Sequence, residues 1–155
     1  MYSRAIVLLI TFSFLTACNQ TANIEQPDYQ VVLDAHHMME WVLDPAVDVI
    51  WDSAGSIITA EGERDLSPTT DAGWEEVERQ SAILAEAGNL LMMPGRSAGA
   101  DWDSYSSDLI KTGKLSMAAA AARDKEALFD AGGEIYQVCL ACHNQYWVVL
   151  DETTP

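Results

Sequence analysis

Cys139, Cys142 and His143 form a Cys-x-x-Cys-His run near the C-terminal end of the chain. On a helix, positions i, i+3 and i+4 share one face. Two thiols and an imidazole so arranged suit covalent haem attachment. The cysteines would form thioethers to the two vinyl groups, and His143 would bring a ring nitrogen to the iron from the same side. A thioredoxin-like redox pair is a competing reading, but it calls for a preceding strand in a βαβ setting. Here residues 127–146 read as one helix. A zinc site is another, but it calls for four ligands. The remaining candidates are His36, His37 and Cys18.

An iron held by one histidine has a second axial position, and His36, His37, Met38 and Met39 are the candidates. At about 100° per residue, Gln30, Asp34, His37, Asp44, Asp48 and Asp52 form a solvent stripe. Met39 lies opposite its centre, in line with Val32, Ala35, Leu43, Ala46 and Ile50. His36 falls about 60° off that line and Met38 about 100° off. Met39 is thus the candidate distal ligand, with His36 the second choice. Core filling is the competing role for such a methionine.

Helices must position these groups. A first helix is expected from Asp28 to Ala54, kinked or split at Pro45 and stopped by Gly55. Residues 55–69 read as a loop, with a brief extended piece at Ser56–Thr59. A second helix follows from Asp71 to Met92, with Thr70 as N-cap. Trp74, Val77, Ser81, Leu84, Gly88 and Leu91 form its inner face. A third starts near Trp102 and runs to Ala122, with Gly113 as a weak point. A break follows at Arg123-Asp124. The fourth carries Leu128, Gly132, Ile135, Tyr136, Cys139, Cys142, His143 and Tyr146 inward. Gly132-Gly133 suggests close approach of a neighbouring helix or of the haem, or else a local kink. The expected fold is all-α, an antiparallel up-down four-helix bundle with covalently bound haem. It would occupy residues 28–150, and helix 1 would run opposite to helix 4.

Tryptophans 41, 51, 74, 102 and 147 are many for 155 residues. Some would fill the core, and those beside a porphyrin would exclude water. Trp74 is expected in the core, Trp41 on the polar side of the first helix. Arg64, Arg96 and Arg123 are candidate partners for haem propionates.

The N-terminus carries an address. Arg4 precedes an apolar run from Ala5 to Leu15 that is short for a membrane span. Leu15-Thr16-Ala17-Cys18 resembles a bacterial lipobox, in which the cysteine takes lipid and becomes the mature N-terminus. The competing reading is an ordinary secretory peptide. Residues 1–17 are thus expected to be a lipoprotein signal peptide, and residues 18–27 a lipidated tether. Asn19 is not the Asp of an inner-membrane retention signal, which favours the outer membrane, on its periplasmic side. With Cys18 lipidated and two cysteines holding haem, none is left for a disulfide.

Lys and Arg total 8 against 24 Asp and Glu, a net charge of −16. Removing residues 1–17 deletes one charge, that of Arg4, and leaves −17. Such a surface argues against nucleic acid and against charge-driven docking on anionic lipid. It suits solubility, and partners with a basic docking surface. No Ser-His-acid or paired-carboxylate arrangement supports hydrolysis, and no enzymatic activity is expected.

The segment from Val138 to Tyr146 resembles the haem segment of the class II c-type cytochromes, the cytochrome c′ group and its low-spin relatives. The layout over residues 28–147 is similar too, including the Ala-rich end of helix 3 and the Arg123-Asp124 junction. The resemblance implies a four-helix bundle with one covalent haem c, Cys139 and Cys142 as attachment sites, and His143 as proximal iron ligand. It implies a distal position in helix 1 near Met39. Pro45, the long loop after Gly55, the lipid anchor and Asn144 depart from the family pattern. A Met–His iron implies a lipid-anchored, periplasm-facing electron-transfer protein. An open, apolar distal site would instead imply binding or detoxification of nitric oxide or another small gas. A third option is an anchored structural or sensor module. Family members often pair through helices 1 and 2, which makes a homodimer an option by analogy alone.

Overall fold

The computed structural model of the protein describes residues 28–147. The expected signal peptide 1–17, the lipid site Cys18 and the tether 18–27 lie outside the described residues, as does the end of the 28–150 domain. Among the described residues the chain is mostly helical, with four helices and one two-stranded sheet. None of these helices is long and apolar enough to cross a membrane.

The first helix, α1, comprises three consecutive segments, Ala35–Met38, Met39–Leu43 and Asp44–Asp52. It starts seven residues later than the expected Asp28, because Asp34 caps it. The His37 amide donates to the Asp34 carboxylate at 2.8 Å, which satisfies a donor the first turn leaves free. Val32, expected on the core line, is instead 84% exposed, and Ala35 is exposed too.

Pro45 acts differently from the expected kink or split. It has no N–H, and in a regular helix its ring would crowd the carbonyl of Trp41, four residues back. The chain widens into a π turn over Met39–Leu43, in which the Asp44 amide donates to the Met39 carbonyl. Pro45 then sits in the first turn of the segment that follows, where a missing donor costs little. The wide turn takes up one extra residue, so the faces before and after it slip by about 100°. Met38, not Met39, therefore aligns with Leu43, Ala46, Val47 and Ile50 in the core, and is only 2% exposed. Met39 is half-buried.

A hairpin follows. Strand β1, Ser56–Thr59, pairs antiparallel with β2, Gly62–Asp65, in the register Ser56 to Asp65 and Thr59 to Gly62. All eight residues are exposed. Only β1 is anticipated by the sequence. The Lys125 ammonium holds the Asp65 carboxylate at 2.9 Å, tying the hairpin to the start of the last helix. Hydrogen bonds from Ser67, and then the Lys125 charge, hold the Asp65 carboxyl well below the usual carboxylate range.

Helix α2, Asp71–Leu91, has Thr70 as its N-cap, as expected: the Thr70 hydroxyl accepts from the Gly73 amide at 3.1 Å. Trp74, Val77, Ser81, Leu84, Gly88 and Leu91 are all buried. Helix α3, Ala100–Ala122, runs alongside it in the opposite direction. Three levels of contact establish that polarity. A Cβ on Gly88 would meet the Ser106 carbonyl oxygen at 2.7 Å, and one on Gly113 would meet the Ala85 backbone at 3.0 Å. The Ser81 and Ser116 hydroxyls lie 2.7 Å apart. Ser81 donates to the Val77 carbonyl, so Ser116 is the donor in the serine pair. Gly113, weak by helix propensity, is the residue that lets α3 approach Ala85.

Arg123 ends α3 with a left-handed backbone, φ 54°. Asp124 then caps α4, Lys125–Tyr146, accepting the Ala127 amide at 3.0 Å. The end of α4 meets the start of α3, where Gln145 donates to Asp101 and accepts from Tyr105, each at 3.0 Å. At the other end of α4, the Trp51 indole of α1 donates to the Gly132 carbonyl at 3.0 Å. A Cβ on Gly132 would sit 3.4 Å from that indole, while one on Gly133 would meet nothing within 4 Å. The close approach expected at this pair thus belongs to Gly132 and comes from α1. Tyr136, expected inward, is exposed and lies edge-on to Trp51 at the α1–α4 rim.

Candidate functional site

Leu128, Ala131, Gly132 and Ile135 bury the first half of α4. One and two turns further on, the same face reaches Val138, Cys139, Cys142 and His143, all half-buried. There the middle of α1, at the π turn, and the start of α3 border a gap.

The result is a two-part cavity. An inner slot of about 60 Å³ is lined mostly by apolar groups, among them Leu43, Val47, Leu84, Leu91, Leu109 and Val138, together with Cys139. It adjoins a wider, solvent-open cleft of about 510 Å³ bordered by His36, Glu40, Tyr146 and Trp147. Met39, Asp44, Trp102, Cys142 and His143 line both parts. The cleft falls within the roughly 300–1,000 Å³ range of small-molecule and cofactor sites.

The sequence-predicted groups thus come together. Cys139, Cys142 and His143 face one cavity from α4, and Met39 faces it from α1. The π turn moves Met39 from the centre of the core to the cavity wall. His36 lines only the outer cleft, with its side chain 81% exposed. His37 leans away, its Nδ1 at 2.9 Å from the Asp34 carboxylate and its ring against Trp41 at 4.3 Å. Trp41 is exposed, as expected for the polar side.

The two thiols are free. Burial pushes the Cys139 thiol up to about 11, with smaller contributions from Cys142 and the Asp44 carboxylate. Burial raises the Cys142 thiol as well. Both therefore remain protonated near neutral pH, whereas redox-active pairs use electropositive surroundings to stabilise a thiolate. The element leading into the motif's helix is helix α3, not a strand of a βαβ unit. Among the described residues the one group of metal-capable side chains, His36, His37 and Glu40, excludes both cysteines. Among the described residues the redox-pair and zinc readings of the motif thus find no supporting partners; Cys18 lies outside them. A haem suits the site better: paired thiols and an imidazole share one helical face, beside an apolar slot and a cleft of cofactor size.

The tryptophans divide. Trp74 is buried in the core. Trp51 and Trp102 line the slot, and Trp102 is fixed by donating to the Leu91 carbonyl at 2.8 Å. The Trp147 ring lies 5.0 Å from that of His143. Sequence reasoning did not single out Trp102, Tyr105 or Asp44 for the site. Asp44 belongs to the solvent stripe by periodicity, yet it lines both parts of the cavity. The arginines do not line the cavity. Arg123 pairs with Asp71 at 2.8 Å, Arg64 lies in the hairpin, and Arg96 donates to the Leu90 and Leu33 carbonyls.

No protein-family model, no curated protein and no solved structure matches this chain.

Proposed function

We propose that this chain is a c-type cytochrome with an up-down four-helix-bundle architecture, exported, anchored by lipid at Cys18 and facing the periplasm as an electron carrier. The observation that carries the reading is the meeting of Cys139, Cys142 and His143 of α4 with Met39 of α1 around one largely apolar cavity. Cys139 and Cys142 would hold one haem c covalently, and His143 would be the proximal iron ligand. Met39 is the distal candidate, better placed than His36 because it borders the inner slot as well as the outer cleft. A haem held there supplies reversible one-electron chemistry. The chain's own part is to hold, shield and tune it. Leu43, Val47, Leu84, Leu91 and Leu109 exclude water from the slot, which favours the less charged, reduced state. The acidic surface would steer basic redox partners towards the molecule.

The absorption spectrum of the purified holoprotein tests this reading against gas binding. A low-spin spectrum with a weak ferric band at the red end, from sulfur ligation, is the expected outcome. A high-spin spectrum that shifts on adding nitric oxide would transfer the function to small-gas binding.

A further inference from the structure

We propose that His36, His37 and Glu40 form a second metal site, for a divalent late first-row cation, on the outer rim of the cleft. The proposal does not depend on the haem reading.

The three side chains each offer a ligand atom, and these atoms all lie within 4.8 Å of one another. His36 and Glu40 are one turn apart, with Nδ1 and Oε2 at 3.9 Å. That spacing is too long for a hydrogen bond and short enough for both atoms to reach one cation. Two imidazoles and a carboxylate are a ligand set used for zinc with a position left open. Imidazole also suits copper and nickel.

A second observation concerns His37 alone. Its Nδ1 lies 2.9 Å from the Asp34 carboxylate. An ionised carboxylate only accepts, so the proton sits on Nδ1 and the Nε2 lone pair is free. A carboxylate behind a histidine is the arrangement that fixes tautomer and ring orientation in metal sites. Asp34 also caps α1, so the orienting group is itself held in place. The ring of Trp41 against His37 at 4.3 Å limits its rotation further. The acidic chain around the site raises the local concentration of cations.

The test is titration of the untagged, mature protein with Zn²⁺ alone, in competition with a chromophoric chelator, and with Co²⁺ as the optical probe. One equivalent is expected to bind. His36→Ala, His37→Ala and Glu40→Gln are each expected to weaken binding about tenfold or more. Asp34→Ser keeps a good N-cap but no longer reaches the imidazole, and is expected to weaken Zn²⁺ binding about tenfold. The helical circular-dichroism signal should persist in all four variants, since the substituted side chains are accessible. Zinc affinity unchanged across the four, or no saturable binding by the parent protein, would overturn the proposal. So would binding that is lost only on replacing His143, which would put the cation at the Cys-x-x-Cys-His motif.

Discussion

Replacing Met38 with Ala lowers stability by about 2–5 kcal/mol and leaves the absorption spectrum of the holoprotein in place. Replacing Met39 with Ala does the reverse. The two residues are adjacent in sequence and both are methionines, so an unbroken helix would give the opposite result. The π turn decides the matter. Met38 is 2% exposed, in line with Leu43 and Ile50, and its truncation leaves a cavity among residues that cannot all collapse inward. Met39 borders the open cleft beside His143. Its truncation removes less packing but takes away the thioether that the proposed iron site would use. Urea denaturation and spectra of the two variants, recorded side by side, check this. If Met39→Ala retains the low-spin spectrum and His36→Ala loses it, the distal ligand is His36 and Met39 is packing.

Gly88→Ala is expected to destabilise by about 1–3 kcal/mol through overpacking, despite the roughly 1 kcal/mol that Ala gains over Gly in a helix interior. The added methyl would lie 2.6 Å from an Ile110 side-chain carbon and 2.7 Å from the Ser106 carbonyl oxygen. The isoleucine could rotate away, but the carbonyl belongs to the backbone of α3. The two helices would have to separate along the seam that also holds Ser81 against Ser116. Gly133→Ala is the control. It meets nothing within 4 Å and sits inside α4, so it should stabilise by about 0.5–1 kcal/mol. Denaturation midpoints at unchanged m-value measure both. Equal effects from the two substitutions would mean that α2 and α3 do not pack as closely as described.

Where local signals and burial agree, the fold is readable from sequence. Thr70 before an acidic first turn marks the start of α2, and its apolar period names the buried face residue by residue. The end of α3 at Arg123 and the start of α4 beside Asp124 follow from the same kind of local chemistry. The Cys-x-x-Cys-His face is legible because its spacing is local.

What is not legible depends on contacts between segments or on a turn of unusual width. Pro45 announces a disturbance, but three remedies exist (kink, break or widened turn), and periodicity cannot choose among them. The choice moves every residue before the wide turn, which is why Met38 and Met39 exchange places. The second strand of the hairpin, Gly-Glu-Arg-Asp, has no apolar alternation. It is held by exposed pairing and by Lys125, so no core pattern betrays it. Gly132 reads as a position of close approach, but that its neighbour is the Trp51 indole, a residue 81 positions away, follows only from the packing of α1 on α4.

Every proposed role of the cavity depends on covalent attachment at Cys139 and Cys142. The direct measurement is the denatured mass of the mature protein after export in a bacterium able to attach haem. The expected mass is that of the polypeptide and its lipid plus one haem, with the haem increment lost in a Cys139→Ala, Cys142→Ala double variant. A parent protein whose mass carries no tetrapyrrole would contradict it.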